Sequence, residues 1–265
     1  MLKDVTLGQY FPGDTVVHRL DPRTKIVLLV VYIVALFQAS GWWSYALLLA
    51  ATAAVMLLGH IRAKNIFKGL KPMLFIIAFT ALLNMFYTPG RPVVEGWIIT
   101  WEGIERSVQM ILRIVLLIAG TFLLTYTTSP IALTDGLERL MSPLKRIGVP
   151  VHEMTLMMSM ALRFIPTLIE ETDKIMSAQR SRGADFETGN LIRRAKALLP
   201  ILVPLFVSAF RRADELAVAM ESRCYHGGEG RTRMKQMKLQ SIDAFAVALG
   251  VLFLAAIIVM RRFHL

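Results

Sequence analysis

Long apolar runs leave a chain few choices. Within a bilayer each backbone N–H and C=O must be satisfied inside the protein, so a run of membrane length folds as a helix or joins a closed barrel. This sequence has four such runs, at Thr24–Ser40, Trp42–Gly59, about Pro72–Tyr87 and about Ser107–Thr127, and a fifth at Ala244–Met260. Each is near the length a tilted helix needs to cross. Trp42 and Trp43 fit an aromatic belt at the membrane surface. Between the fourth and fifth runs lies a basic, helix-patterned block, roughly residues 129–240. The expected division is therefore 1–128 with an N-terminal segment and four spans, 129–240 as a separate polar-faced unit, and 241–265 with the last span.

Composition agrees. Hydrophobic residues make up 55% of the 265, and the formal net charge is +11. In so apolar a chain the excess of Lys and Arg belongs to cytoplasmic loops and anionic lipid before nucleic acid, and no aromatic surface for stacking bases is interleaved with it. The loop His60–Lys71 carries Arg62, Lys64, Lys68 and Lys71 and no acidic residue, whereas Thr88–Arg106 holds Glu95, Glu102 and Glu105 against Arg91 and Arg106. That asymmetry puts the first of these loops, the N-terminus and the block 129–240 in the cytoplasm, and Arg261 and Arg262 outside. No cleavable signal peptide is expected in residues 1–25, and the single cysteine, Cys224, forms no intrachain disulfide.

The block holds one pattern twice. Asp173 to Arg182-Gly183 is echoed by Asp214 to Arg223-Cys224, with equal aspartate-to-arginine spacing. Ile165, Leu168, Ile169, Thr172, Ile175, Met176 and Gln179 recur at three and four residues and share one helix face. Leu205, Ala209, Ala213, Leu216, Ala217 and Met220 form the matching stripe. Arg182 and Arg223 stand near the C-terminal ends, where a cation suits the helix dipole. Either arginine alone reads as a helix cap or a lipid-phosphate contact; the duplication favours a shared docking role. Pro166, Pro200 and Pro204 each remove a backbone hydrogen bond, so kinks are expected there. The apolar stretches Met154–Ile169 and Ala195–Phe210 would lie at the interface or dip into the membrane. Leu133, Leu137, Leu140, Met141 and Leu144 suggest a shorter interfacial helix over Ser129–Gly148, with a mere linker the alternative. Met154, Met157, Met158 and Met160 suit an adaptable surface or ordinary packing.

Three stretches together resemble the transmembrane T component of energy-coupling-factor (ECF) transporters. They are Tyr10-Phe11-Pro12-Gly13-Asp14 through Asp21-Pro22-Arg23-Thr24-Lys25, then Arg163-Phe164-Ile165-Pro166 leading to Ser181-Arg182-Gly183, and Ser222-Arg223-Cys224, where cysteine replaces a glycine of the family pattern. The resemblance implies an all-α integral membrane protein of the cell membrane, a helical transmembrane bundle with a cytoplasmic or interfacial coupling domain of long crossing amphipathic helices. It implies a non-catalytic subunit that transmits the ATP-driven motion of two ABC-type ATPase subunits to a separate membrane substrate-binding S component, for vitamin or metal-ion uptake. Ser181, Arg182, Gly183, Ser222, Arg223 and Cys224 would contact the ATPases, Pro166, Pro200 and Pro204 would act as hinges, and ATP would be bound by the partner subunits alone.

Two other readings compete with this one. An integral-membrane enzyme needs a nucleophile, paired carboxylates or metal ligands at workable spacing. His152-Glu153 lacks the second histidine of a zinc-protease helix because position 156 is Leu156, and Gly227–Gly230 lacks the lysine and hydroxyl of a phosphate loop. His18 with Asp21-Pro22-Arg23 reads as a polar segment packed under the first span. An ordinary ABC-importer permease would bind substrate itself and recruit a soluble external binding protein. Arg113, inside the fourth run, is expected to snorkel to the outer boundary.

Overall fold

The structure, a computed structural model, describes residues 10–92, 99–186, 188, 190–227 and 239–263. Among them the protein is helical, with no β-strand; an isolated antiparallel bridge pairs Pro92 with Thr100. In chain order the helices are α1 (Val16–Arg19), α2 (Pro22–Gln38), α3 (Trp42–Leu58), α4 (Ala63–Leu70), α5 (Leu74–Tyr87), α6 (Trp101–Thr127), α7 (Pro130–Met141), α8 (Val151–Ser181), α9 (Leu191–Ser222) and α10 (Ser241–Arg262). Short 3₁₀ turns join α4 to α5 and follow α7. The described residues form two compact units, one drawn from 10–140 and 239–263, the other from 141–227. Helix α7 groups with the first unit, so the compact boundary falls after residue 140, and not at 128 where composition changes.

Three helices of the first unit are long and apolar enough to cross a membrane: α4–α5 taken together as Ala63–Tyr87, α6 and α10. Helices α2 and α3 have 17 residues each, about 25 Å at 1.5 Å per residue, at the short end of spanning length. Packing relies on small residues, since apolar burial drives little when the solvent is also apolar. A Cβ on Gly120 of α6 would lie 2.7 Å from the Tyr32 ring of α2, and one on Gly250 of α10 would lie 2.5 Å from Leu28 Cδ2. Around these approaches Ala35, Leu36, Leu48, Leu116 and Ile257 form one buried cluster; Ile66, Leu70, Ile77, Ala119, Leu123 and Tyr126 form a second. Two polar side chains at the centre of the bundle pair with each other: Tyr32 OH donates to Leu116 O at 3.2 Å and lies 2.8 Å from Thr52 Oγ1, whose hydroxyl donates to Leu48 O.

Several expectations change in detail. Residues 63–70, read as part of a cationic loop, form α4, because Ile66 and Leu70 are one helical turn apart and both bury. The fourth run starts earlier, at Trp101, where the Thr100 hydroxyl accepts from Gly103 N at 3.0 Å and caps the helix. Helix α7 exists, but its buried residues are Thr134, Gly136 and Glu138, while Leu137 is exposed. Gly136 is the reason: its Cβ would stand 3.0 Å from Pro22 Cβ, so the helix approaches α2 through its smallest residue. Arg113 does not reach outward freely. Its Nη2 donates to Ala39 O at 3.1 Å and to Tyr45 OH at 2.9 Å, with the guanidinium carbon 5.9 Å from the Phe37 ring centroid. It thus joins the C-terminal end of α2, where a cation is favoured, to α3.

Within the second unit, α8 and α9 remain continuous through Pro166, Pro200 and Pro204. Neither holds an uninterrupted apolar stretch of membrane-crossing length.

Candidate functional site

The repeated pattern ends in repeated geometry. Helix α8 closes with Ala184 N donating to Gln179 O at 3.0 Å and Gly183 N to Arg180 O at 2.9 Å. Helix α9 closes with Tyr225 N donating to Met220 O at 3.0 Å and Cys224 N to Glu221 O at 2.9 Å. Both are Schellman caps, in which the residue after the cap turns left-handed and so satisfies the last carbonyls. Gly183 has φ +85° and Cys224 φ +55°. The cysteine therefore departs from the family pattern in side chain while keeping the backbone turn. In both copies the preceding serine bonds back one turn, Ser181 Oγ to Ser177 O at 3.1 Å and Ser222 Oγ to Val218 O at 2.7 Å.

The cap position itself is Arg182 in one helix and Arg223 in the other. All six residues 181–183 and 222–224 are exposed. Neither guanidinium has a hydrogen-bond or ion-pair partner among the described residues. Each is a charged fork held at a rigid helix terminus, with five donors available for carboxylates or carbonyls.

The helices meet through the faces their periodicity marks. Leu168 of α8 and Ala209, Ala213, Leu216, Ala217 and Met220 of α9 line a groove of about 450 Å³, which also takes in Met157, Met160 and Phe164. Arg212, outside the expected stripe, reaches Glu171 at 2.7 Å, and Gln179 Nε2 donates to Pro200 O at 3.4 Å. As α8 advances from 171 to 179, its partner on α9 retreats from 212 to 200, so the two helices run in opposite senses along their contact. Arg182 lies 11 residues beyond Glu171, and Arg223 lies 11 beyond Arg212. At 1.5 Å per residue each tip is about 16 Å along its helix from the ion pair, in opposite directions. The pair carries two matched cationic ends.

Helix α9 also shows an unpartnered apolar stripe: Leu199, Leu202, Val203, Phe206 and Phe210 are between 41% and 69% exposed. The three prolines lie within the paired helices, with Pro200 O in direct contact with α8.

A second polar centre, in the first unit, packs the polar N-terminal segment as its sequence reads, but through a partner, Asp243, that the sequence reading did not supply. Asp243 is 3% exposed. Its Oδ1 accepts from Asp21 N and its Oδ2 from Gln240 N, both at 2.8 Å. Lys25 Nζ donates to Thr127 O at 2.9 Å and His18 O at 3.2 Å. His18 in turn contacts Thr15 Oγ1 at 2.7 Å and Phe11 O at 3.0 Å. The N-terminal motif is thus the bolt that fastens the starts of α2 and α10 to the end of α6, a structural task for residues that could have suggested a catalytic cluster. On the Asp243 side the sequence clue is Gln240–Asp243, a capping box ahead of an apolar run. Among the described residues, no three His, Cys, Asp or Glu side chains group as a metal site. Gly227 has φ +101°; Gly228, Glu229 and Gly230 lie outside the described residues.

These features define a polytopic, all-helical membrane component that carries its polar work on two long paired helices. Residues 13–234 match the family model CbiQ, described as cobalt transport protein. The chain is 52% identical to the energy-coupling factor transporter transmembrane protein EcfT of Ruminiclostridium cellulolyticum over 98% of both chains, and 53% identical to that of Thermosediminibacter oceani over 99% of both. To EcfT of Bacillus subtilis it is 47% identical, over 99% of this chain and all of the relative. The chain belongs to this family: it is a transmembrane component of an ECF transporter, a non-catalytic membrane subunit that works within a complex.

Proposed function

We propose that the chain couples two ATPase subunits to a separate membrane substrate-binding subunit, with Arg182 and Arg223 each anchoring one ATPase. The observation that carries this is the matched pair of exposed, unpartnered arginines on identical helix caps at opposite ends of one helix pair. Two equal tips suit two equal partners. Ser181, Gly183, Ser222 and Cys224 complete each contact by fixing the cap and keeping it free of bulk. The antiparallel packing of α8 on α9, joined at Glu171–Arg212, makes the pair one lever, so that force at one tip reaches the other. The prolines are the positions where each helix lacks an internal hydrogen bond, and bending would concentrate there.

The exposed stripe Leu199–Phe210 on α9 offers an apolar face to the substrate-binding subunit. In this reading ATP is held by the ATPases, the helix pair lies on the cytoplasmic side, and the cargo, a vitamin or a metal ion, is chosen by the substrate-binding subunit. Purification of the complex in mild detergent tests it. The chain should bring down two ATPase subunits and a small hydrophobic membrane protein, and Arg182→Ala with Arg223→Ala should weaken assembly or uncouple transport from hydrolysis. Retained assembly with full substrate-linked ATPase activity would refute the assignment, and recovery with a soluble external binding protein would favour a permease.

A further inference from the structure

We infer that α4 and the first residue of the turn after it form a binding site for the headgroups of anionic phospholipids, through Lys64, Lys68 and Lys71. These lysines are spaced i, i+4, i+7 and share one helical face. The opposite face holds Ile66 and Leu70, each 5% exposed, in the cluster built on Ala119, Leu123 and Tyr126 of α6. Two contacts fix the rotation of the helix. Tyr126 OH donates to Asn65 O at 3.3 Å, and Gly69 sits so close to α6 that a Cβ there would lie 2.2 Å from Phe122 Cε2. The lysine face is therefore held away from the bundle.

All three lysines are exposed, and none has a partner among the described residues. No acidic residue occurs between Asp21 and Glu95 to neutralise them along the chain.

Depth in the bilayer selects the partner. The stretch Ala63–Tyr87 has 25 residues, about 37 Å at helical rise, against a hydrocarbon core of about 30 Å. An untilted helix of that length leaves about 7 Å outside the core, and the lysines make the first turns the end that favours water and headgroups. Phe67, 70% exposed, lies beside the stripe, and Leu74, Phe75 and Ile76 are exposed just beyond it. Ammonium groups alternating with an exposed aromatic at the end of an apolar helix match the layer where headgroup phosphates meet acyl chains. A soluble acidic protein would satisfy the charges and leave Phe67 and Phe75 without a purpose. The site is independent of the arginine tips on α8 and α9.

The test uses the full chain in bilayers of phosphatidylcholine doped with spin-labelled phosphatidylglycerol or, separately, spin-labelled phosphatidylcholine. The fraction of each label immobilised by the protein gives a relative affinity. A lysine near an anionic surface contributes up to about fivefold at low salt. The wild-type chain should therefore prefer phosphatidylglycerol by several-fold at least, and high salt should erase the preference. K64Q/K68Q/K71Q should lower the preference several-fold, while K64R/K68R/K71R keeps it and so separates charge from folding. Equal binding of both lipids by the wild-type chain, or a preference undiminished by salt or by the glutamine substitutions, overturns the inference. Undiminished lipid preference in the glutamine variant together with loss of co-purifying subunits overturns it in favour of a protein contact.

Discussion

Replacing Asp243 with alanine should loosen the first unit where α10 begins. The carboxylate accepts two backbone N–H groups, from Asp21 and Gln240, each at 2.8 Å. Hydrogen bonds to a charged acceptor are worth about 1.5–3 kcal/mol each, and a buried N–H left unpaired forfeits its solvation as well. The side chain is 3% exposed, so water replaces it poorly. Part of the effect is recovered as the helix end relaxes toward water, which leaves a loss of about 3 kcal/mol. That is roughly a hundredfold fall in hydrogen-exchange protection at the two amides, since about 1.4 kcal/mol is tenfold. Asp243→Asn keeps one acceptor oxygen and should lose about half as much. The assay is amide exchange on the detergent-solubilised chain, read at Asp21 and Gln240. Unchanged protection at both in Asp243→Ala would refute the claim that this carboxylate bolts α10 to α2.

Three further outcomes follow from single contacts. Gly183→Ala meets no atom within 4 Å but must hold φ near +85°, so it should cost about 1–2 kcal/mol and speed exchange at Ala184; unchanged exchange would remove the left-handed cap. Arg113→Met gives up the bonds to Ala39 O and Tyr45 OH and should destabilise by about 2 kcal/mol in detergent melting; an unshifted melt would mean that the guanidinium does not join α2 to α3. Glu171 and Arg212 are 22% and 34% exposed in their side chains, so a double-mutant cycle with Glu171→Gln and Arg212→Met should return a coupling of only about 0.5–1 kcal/mol.

How much the sequence disclosed depends on how local each feature is. The stripes of α8 and α9 follow from three-and-four spacing, and Leu168, Ala209, Ala213, Leu216, Ala217 and Met220 do line the shared groove. Arg182-Gly183 is a helix ending that local chemistry dictates. The left-handed turn at Cys224 was not legible, because a cysteine gives no conformational signal; only the parallel with Gly183 suggests it. The Asp21–Asp243 contact joins residues 222 apart, and no periodicity encodes a contact of that kind. Helix α4 was hidden by its lysines, which read as loop, although Ile66 and Leu70 already marked a buried face. In α7 the leucine face was the visible one, but the close approach of Gly136 to Pro22 decided the packing. Proline spacing identified positions of missing hydrogen bonds, yet α8 and α9 pass through them unbroken. The backbone hydrogen bonds on either side of each proline carry the helix past the one that is missing.

Photo-cross-linking from positions 181 and 222 in the assembled transporter tests the central claim most directly, because these positions adjoin the two arginines without removing them. Each position should capture an ATPase subunit. Capture of lipid or of the substrate-binding subunit alone, from both positions, would contradict it.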